Sequence, residues 1–292
     1  MTRVAIVGGG PGGLFTNYLL DKFCDGLFTA TIFEASDRLG GKIMTDTFEK
    51  GSSMFERGVA EYYDYSHFGP DPLKRLITEV MELDTVPMDG KGVILEGKIL
   101  NTRRDIKKHF GDATLKALDE FHAKCREMCS PDEYYEGYSG DDNKHPWGEK
   151  TFREVLDEIP DEMARKYVEV AARSDVATES QLTNALNGLK NVLMDDPKYL
   201  RLYSISGGNE KLIEGLAERI SAKVMLQSRV SKITHNEGGT YTLTVRRKGR
   251  DETHEFDHVV VAVPNYWVSQ IEFEGRGARM AIQKHQARYD NA

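Results

Sequence analysis

Val4-Ala5-Ile6-Val7-Gly8-Gly9-Gly10-Pro11-Gly12-Gly13-Leu14 decides how the chain folds. A short apolar run enters a glycine cluster and emerges into the apolar stretch 14–20, the pattern of a strand, a tight turn and a helix start. The spacing Gly8, Gly10, Gly13 is that of the dinucleotide fingerprint. In that arrangement the first glycine permits the turn, the second lets backbone approach a pyrophosphate, the third lets helix pack on strand, and the helix N-terminus attracts the phosphate charge. A dinucleotide is the expected ligand.

Working outward, a second strand over 29–33 ends in Glu34, about twenty residues beyond the last glycine. An acid at that point can accept hydrogen bonds from both ribose hydroxyls and would repel a 2′-phosphate, which disfavours NADP. The chain continues through Ala35 to Arg38-Leu39-Gly40-Gly41-Lys42-Ile43-Met44-Thr45, a second glycine pair with two cations expected to close over the pyrophosphate.

The segment Arg38 to Thr45 fits R-x-G-G-[RK]-x-x-T, and matching portions return downstream in Ser206–Leu212, Arg229–Ile233 and Asp257–Pro264. With these motifs the sequence resembles the flavin-containing amine oxidase superfamily, which includes monoamine and L-amino acid oxidases and is related to protoporphyrinogen oxidases and carotenoid desaturases. The resemblance is strong over about residues 1–62 and 204–273 and weak between them. It implies an α/β fold in which a Rossmann-like, glutathione-reductase-like FAD-binding domain, residues 1–64 and 204–292, is interrupted by a mostly helical substrate domain, 65–203.

The resemblance implies FAD as cofactor, held by Gly8, Gly10, Pro11, Gly12, Gly13, Glu34, Ala35, Arg38, Gly40, Gly41 and Lys42, with Val230, Val263 and Pro264 from the downstream part. Gly58, Val59 and Ala60 match the family segment that runs beside the isoalloxazine ring. Glu61 is the candidate substrate-facing acid able to hold an ammonium group, and Tyr62, Tyr63 and Tyr65 are candidate pocket aromatics or ordinary packing. Arg57 precedes the glycine by one place and receives no role.

Composition bounds the remaining choices. A chain of 292 residues has room for two domains; 29% charged residues and a net charge of −8 speak for a soluble acidic protein and give no reason to expect nucleic-acid binding. No apolar run approaches the roughly twenty residues of a membrane span, and the first strand starts too early for a signal peptide, so the expected location is cytoplasmic. Cys24, Cys125 and Cys129 form no disulfide framework and read as reduced structural residues. The eight histidines include no HxH or HExxH pair, so no metal site is expected; His109, His122 and His145 sit in polar contexts, and His67 reads as a surface residue.

Helical spacing recurs over 73–83, 115–125, 152–159, 162–172 and 182–193, with a hairpin over 91–100 around Glu96-Gly97 and a polar loop over 138–150 that Trp147 anchors. A helix over 212–220 leads to strands at 223–226, 230–235, 241–247, 252–256 and 259–263, read as one meander. An NAD dehydrogenase would continue in βαβ alternation after its second strand, so the meander favours FAD.

The expected activity is oxidation of an amine or amino acid by hydride transfer to flavin. The alternatives are a desaturase-like or protoporphyrinogen-oxidase-like enzyme, and a non-catalytic FAD-binding subunit. The family's further segments, including a flavin-contacting lysine and a final glycine-rich FAD segment, have no counterpart before Ala292. The expectation is therefore a split or processed enzyme, a hetero-oligomer in which a second polypeptide supplies that half.

Overall fold

The computed structural model describes residues 1–24, 26–88, 92–136 and 145–289. The chain forms two compact units, one of Met1–Ala60 with Ile205–Ala292 and one of Glu61–Ser204.

In the first unit, β1 (Thr2–Val7), α1 (Pro11–Phe23) and β2 (Phe28–Phe33) follow one another, and β1 and β2 pair in parallel. The strand Lys223–Met225 adds beside β2 and His258–Val261 beside β1, giving a four-stranded parallel sheet. Burial explains the unbroken apolar run: Val4, Ala5, Ile6 and Val7 are all buried, as a central parallel strand covered on both faces requires.

The strands expected as one meander divide between two sheets. Only the middle three, Ser228–His235, Tyr241–Arg247 and Arg250–Phe256, form an antiparallel sheet, with Glu272–Glu274 parallel to the first of them. The flanking two return to the parallel sheet because their partners are the apolar edges of β1 and β2. The two layers share a core in which Phe33, Met225, Val230, Leu243, Val245 and Phe256 pack together, Phe256 edge-on to Phe33 at 5.7 Å.

The second unit is mainly helical. Its helices Arg103–Met128, Phe152–Leu156, Glu162–Val176 and Ala185–Leu193 each start at a side-chain cap, Thr102, Thr151, Asp161 and Asn184, and the first two caps are full capping boxes with Asp105 and Glu154. The helix expected over 115–125 begins at 103 and bends at Gly111, whose φ of 88° breaks the helical run. Fully buried Trp147 stacks on Phe121 and anchors the turn at 145–150; the remainder of the polar loop, 138–144, and Lys91 of the hairpin lie outside the described residues. Strands Val93–Leu95 and Lys98–Leu100 form that hairpin, with Glu96 and Gly97 both at positive φ. A small sheet sets Arg201–Ile205 between Tyr62–Asp64 and Thr85–Met88.

Cys125 and Cys129 are buried, and burial pushes the Cys125 thiol up to about 12, so it is inert at neutral pH. Among the described residues no helix is long and apolar enough to cross a membrane.

Two tests follow from this packing. A Cβ at Gly188 would lie 2.1 Å from the buried Phe152 ring, so Gly188→Ala should destabilise the protein by about 1–3 kcal/mol, read as a lower melting temperature. Burial would raise the Asp64 carboxyl, but hydrogen bonds from Lys74 and from the Ser66 N–H outweigh it and hold it below the usual carboxylate range. Its contribution to stability is therefore complete above the ordinary aspartate value of about 4 and is lost as pH falls below that. Chemical denaturation of Asp64→Asn across that range should show a shallower acid-side loss than the parent chain.

Candidate functional site

The site is built at the carboxyl end of β1. Gly8 takes a φ of 111°, and a Cβ on Gly13 would sit 1.9 Å from the Gly8 carbonyl oxygen, so only glycine lets α1 lie this close to the strand. Gly10 caps α1 without a side-chain bond, and Pro11 fills the first turn, where its missing N–H costs nothing. A side chain at Gly10 or Gly12 would meet nothing nearer than 3.7 Å, which leaves room for a ligand's phosphates against the helix start.

Glu34 stands at the end of β2, its carboxylate accepting from the Gly9 N–H at 2.7 Å and the Ser36 N–H at 2.8 Å. Each oxygen keeps a lone pair for a hydroxyl. Ala35 is exposed beside it. The N–H groups of Gln227 and Ser228 donate to the Ser36 and Glu34 carbonyls, which brings the strand carrying Val230 to the same place. The Val230 side chain is buried in the core, so only its backbone can serve a ligand. Val263 lies against Gly8, and Pro264 caps the short helix Asn265–Val268.

The loop 38–44 closes over Gly10, with Gly40 and Gly41 both at positive φ and the Gly41 Cα in reach of Gly10. Arg38 does not present a free cation there. Its guanidinium donates to the carbonyls of Leu39, Ile43 and Gly41 and lies 3.7 Å from the Glu210 carboxylate, so it ties the loop's own backbone together. Lys42 is exposed. Arg38, Gly41, Lys42 and Met44 face Arg57, Gly58 and Val59 across an open cleft of about 580 Å³. The Gly58 backbone is pressed on the loop: a Cβ there would sit 1.9 Å from the Lys42 carbonyl oxygen. Arg57 pairs with Asp46 at 3.2 Å.

A polar network braces this cleft and was not visible in the sequence. The Thr45 hydroxyl donates to Glu56 and accepts from the Glu210 N–H, and the Thr45 N–H donates to the Glu210 carboxylate. Asn209, fully buried, donates its N–H to Glu56. The only sequence signal was a polar pair directly after Gly207-Gly208, which reads equally well as an ordinary helix start.

In the second unit, Glu61 is half-buried. Burial raises the Tyr63 hydroxyl above its ordinary value, and the charges of Glu61 and Asp175 add to the shift. Tyr62 is no pocket residue; it is buried against Tyr203, ring centres 5.6 Å apart. Tyr63, Tyr65 and Tyr135 instead form a chain of rings at 6.2 and 5.2 Å. His67 is not a surface residue either: its ring lies 4.0 Å from Phe68, and neither ring nitrogen finds a hydrogen-bond partner among the described residues. His122, expected in a polar setting, lines a cavity of about 350 Å³ with Arg126 and Tyr167, and burial holds it below the usual histidine value.

The cradle makes one direct prediction. Glu34→Ala removes the carboxylate bonded to the Gly9 N–H, and should weaken dinucleotide retention at least about tenfold, roughly 1.4 kcal/mol, in equilibrium dialysis; unchanged occupancy would refute the ribose assignment.

A sequence model of the flavin-containing amine oxidoreductases matches residues 17–288. No curated protein matches. Among solved structures, a double mutant of putrescine oxidase aligns with a TM-score of 0.72 at 21% identity, over 98% of this chain and 63% of that one. Wild-type putrescine oxidase bound to putrescine aligns at 0.64 with 21% identity, covering 94% and 60%. A candidate protoporphyrinogen oxidase from Exiguobacterium sp. 255-15 aligns at 0.60 with 20% identity, covering 92% and 61%. The chain thus spans about three-fifths of the length of these structures. Together with the glycine turn, the acid at the end of β2 and the room left at the start of α1, the match assigns the chain to the flavin-containing amine oxidoreductase family, with FAD as its cofactor.

Proposed function

We propose that the protein oxidises an amine or amino acid, and that FAD lies along the first unit from Glu34 to the cleft at Gly58. The observation that carries this reading is the continuity of the cradle. Glu34, the uncapped start of α1, the loop 38–44 and the segment of Gly58 and Val59 follow one another on one unit, in the order that ribose, pyrophosphate and ring require.

In this arrangement Glu34 holds the ribose hydroxyls, the N–H groups at the start of α1 face the pyrophosphate, and Arg38 keeps the loop closed by binding its carbonyls. Gly58 and Ala60, both exposed and without bulk, allow the ring to approach backbone. When bound, FAD supplies a two-electron acceptor for the hydride of a C–H bond next to nitrogen, leaving an imine for water to hydrolyse. Glu61 and the rings of Tyr63, Tyr65 and Tyr135 offer a carboxylate and π faces, the combination that attracts an ammonium group.

The test is anaerobic addition of diamines, monoamines and amino acids to the FAD-loaded protein. Loss of the visible absorbance of the oxidised cofactor with an amine or amino acid is the expected result. Glu61→Gln should then raise KM for that substrate about tenfold, the value of one charge-assisted contact, with little change in kcat. The protoporphyrinogen-oxidase-like neighbour favours a second reading, a bulky apolar reductant; bleaching by such a compound and not by amines would select it. No bleaching by either class would leave a cofactor that is structural.

A further inference from the structure

Asn209 lies in the segment 206–212 that carries part of the family resemblance, but the resemblance gives it no role. It is buried to 0% exposure at the turn between the strand Arg201–Ile205 and the helix Lys211–Ala217. Its side-chain oxygen accepts from the Ile205 N–H at 2.9 Å. Its side-chain nitrogen donates to two successive carbonyls, Val59 at 2.9 Å and Ala60 at 3.0 Å. Its own N–H donates to the Glu56 carboxylate, which also accepts from the Thr45 hydroxyl.

The geometry of the segment it grips is specific. The N–H groups of Arg57 and Val59 donate to the Met44 and Lys42 carbonyls, so 57–59, a bent segment that continues from the strand Met54–Glu56, is held against the loop 42–44. Successive carbonyls of a regular strand point to opposite edges. Two of them on one amide nitrogen therefore mean that the backbone turns at 59–60, and that the turn is set by Asn209. An amide has two hydrogens to give, and both are used here.

We propose that Asn209 is a positioning residue: by holding the Val59 and Ala60 carbonyls it keeps their negative ends directed away from the ring that lies along Gly58–Ala60. The inference rests on the placement of the ring proposed above. Without the amide, two carbonyl oxygens lose their donor and turn toward whatever other partner the cleft provides. A carbonyl dipole turned toward the ring opposes electron uptake, so the residue acts on the cofactor's electronics through backbone it never covers. Aspartate cannot replace it, because a carboxylate has no hydrogen to give either carbonyl.

The experiment uses the FAD-loaded chain and compares Asn209→Ala with Ala60→Ser, reading the visible spectrum and the midpoint potential by dye-coupled reductive titration. Amide hydrogen exchange over residues 57–61 is read in the same samples. The expected result is a more negative potential and shifted visible bands in Asn209→Ala at unchanged FAD stoichiometry, with exchange about tenfold faster, the effect of one lost hydrogen bond. Ala60→Ser reports on placement and should shift the bands by itself. If Ala60→Ser shifts them and Asn209→Ala leaves both spectrum and potential unchanged, or moves the potential upward, the proposal is overturned while the ring placement stands. If Ala60→Ser is silent, the placement is wrong and the proposal falls with it. Where Asn209→Ala yields too little folded protein, Asn209→Ser carries the same test, since a hydroxyl donates one hydrogen at most.

Discussion

The contact between Gly13 and the Gly8 carbonyl is the constraint from which the first unit follows. With less than the room of one methyl group between them, α1 is drawn onto β1, and its uncapped start is delivered to the end of the sheet. Everything that meets there depends on this approach: Glu34 reaching back to the Gly9 N–H, the loop 38–44 folding over Gly10, and the segment 57–59 pressed on that loop in turn. A side chain at either glycine would remove the helix from the sheet and the site with it.

The charged groups around the cleft divide into two kinds. Surface pairs such as Arg57 with Asp46 are exposed on both sides and contribute little, because solvent screens them. The network of Thr45, Glu56, Asn209 and Glu210 is different, since its bonds run to backbone groups far apart in sequence and fix where segments cross. Arg38 acts with it: its hydrogen bonds end on carbonyls of its own loop and fasten that loop.

What the sequence disclosed was what is local and periodic. The glycine spacing, the unbroken burial of β1 and the acid after β2 each involve neighbours along the chain, and each was legible from Val4 to Glu34 alone. The hairpin at Glu96-Gly97 and the periodic stretches of the helices were legible for the same reason, but not the caps that start them. Two features were hidden because their cause lies in a distant partner. The strands at 223–225 and 258–261 look like part of a meander until β1 and β2 are seen to claim them. Tyr62 looks like a pocket residue, and only Tyr203 shows where it goes.

The chain leaves the first unit at Ala60 and re-enters it at Ile205, and Asn209 bonds to both of these crossing points. The ends of the 144-residue excursion Glu61–Ser204 are thus anchored side by side by one residue of the host. Closing a loop between fixed, adjacent ends grows costly only logarithmically with its length. An excursion moored in this way can be lengthened, shortened or exchanged for another with little penalty to the unit that carries it. The same dinucleotide cradle can in this way be fitted to new chemistry by changing what is strung between two posts that stay in place.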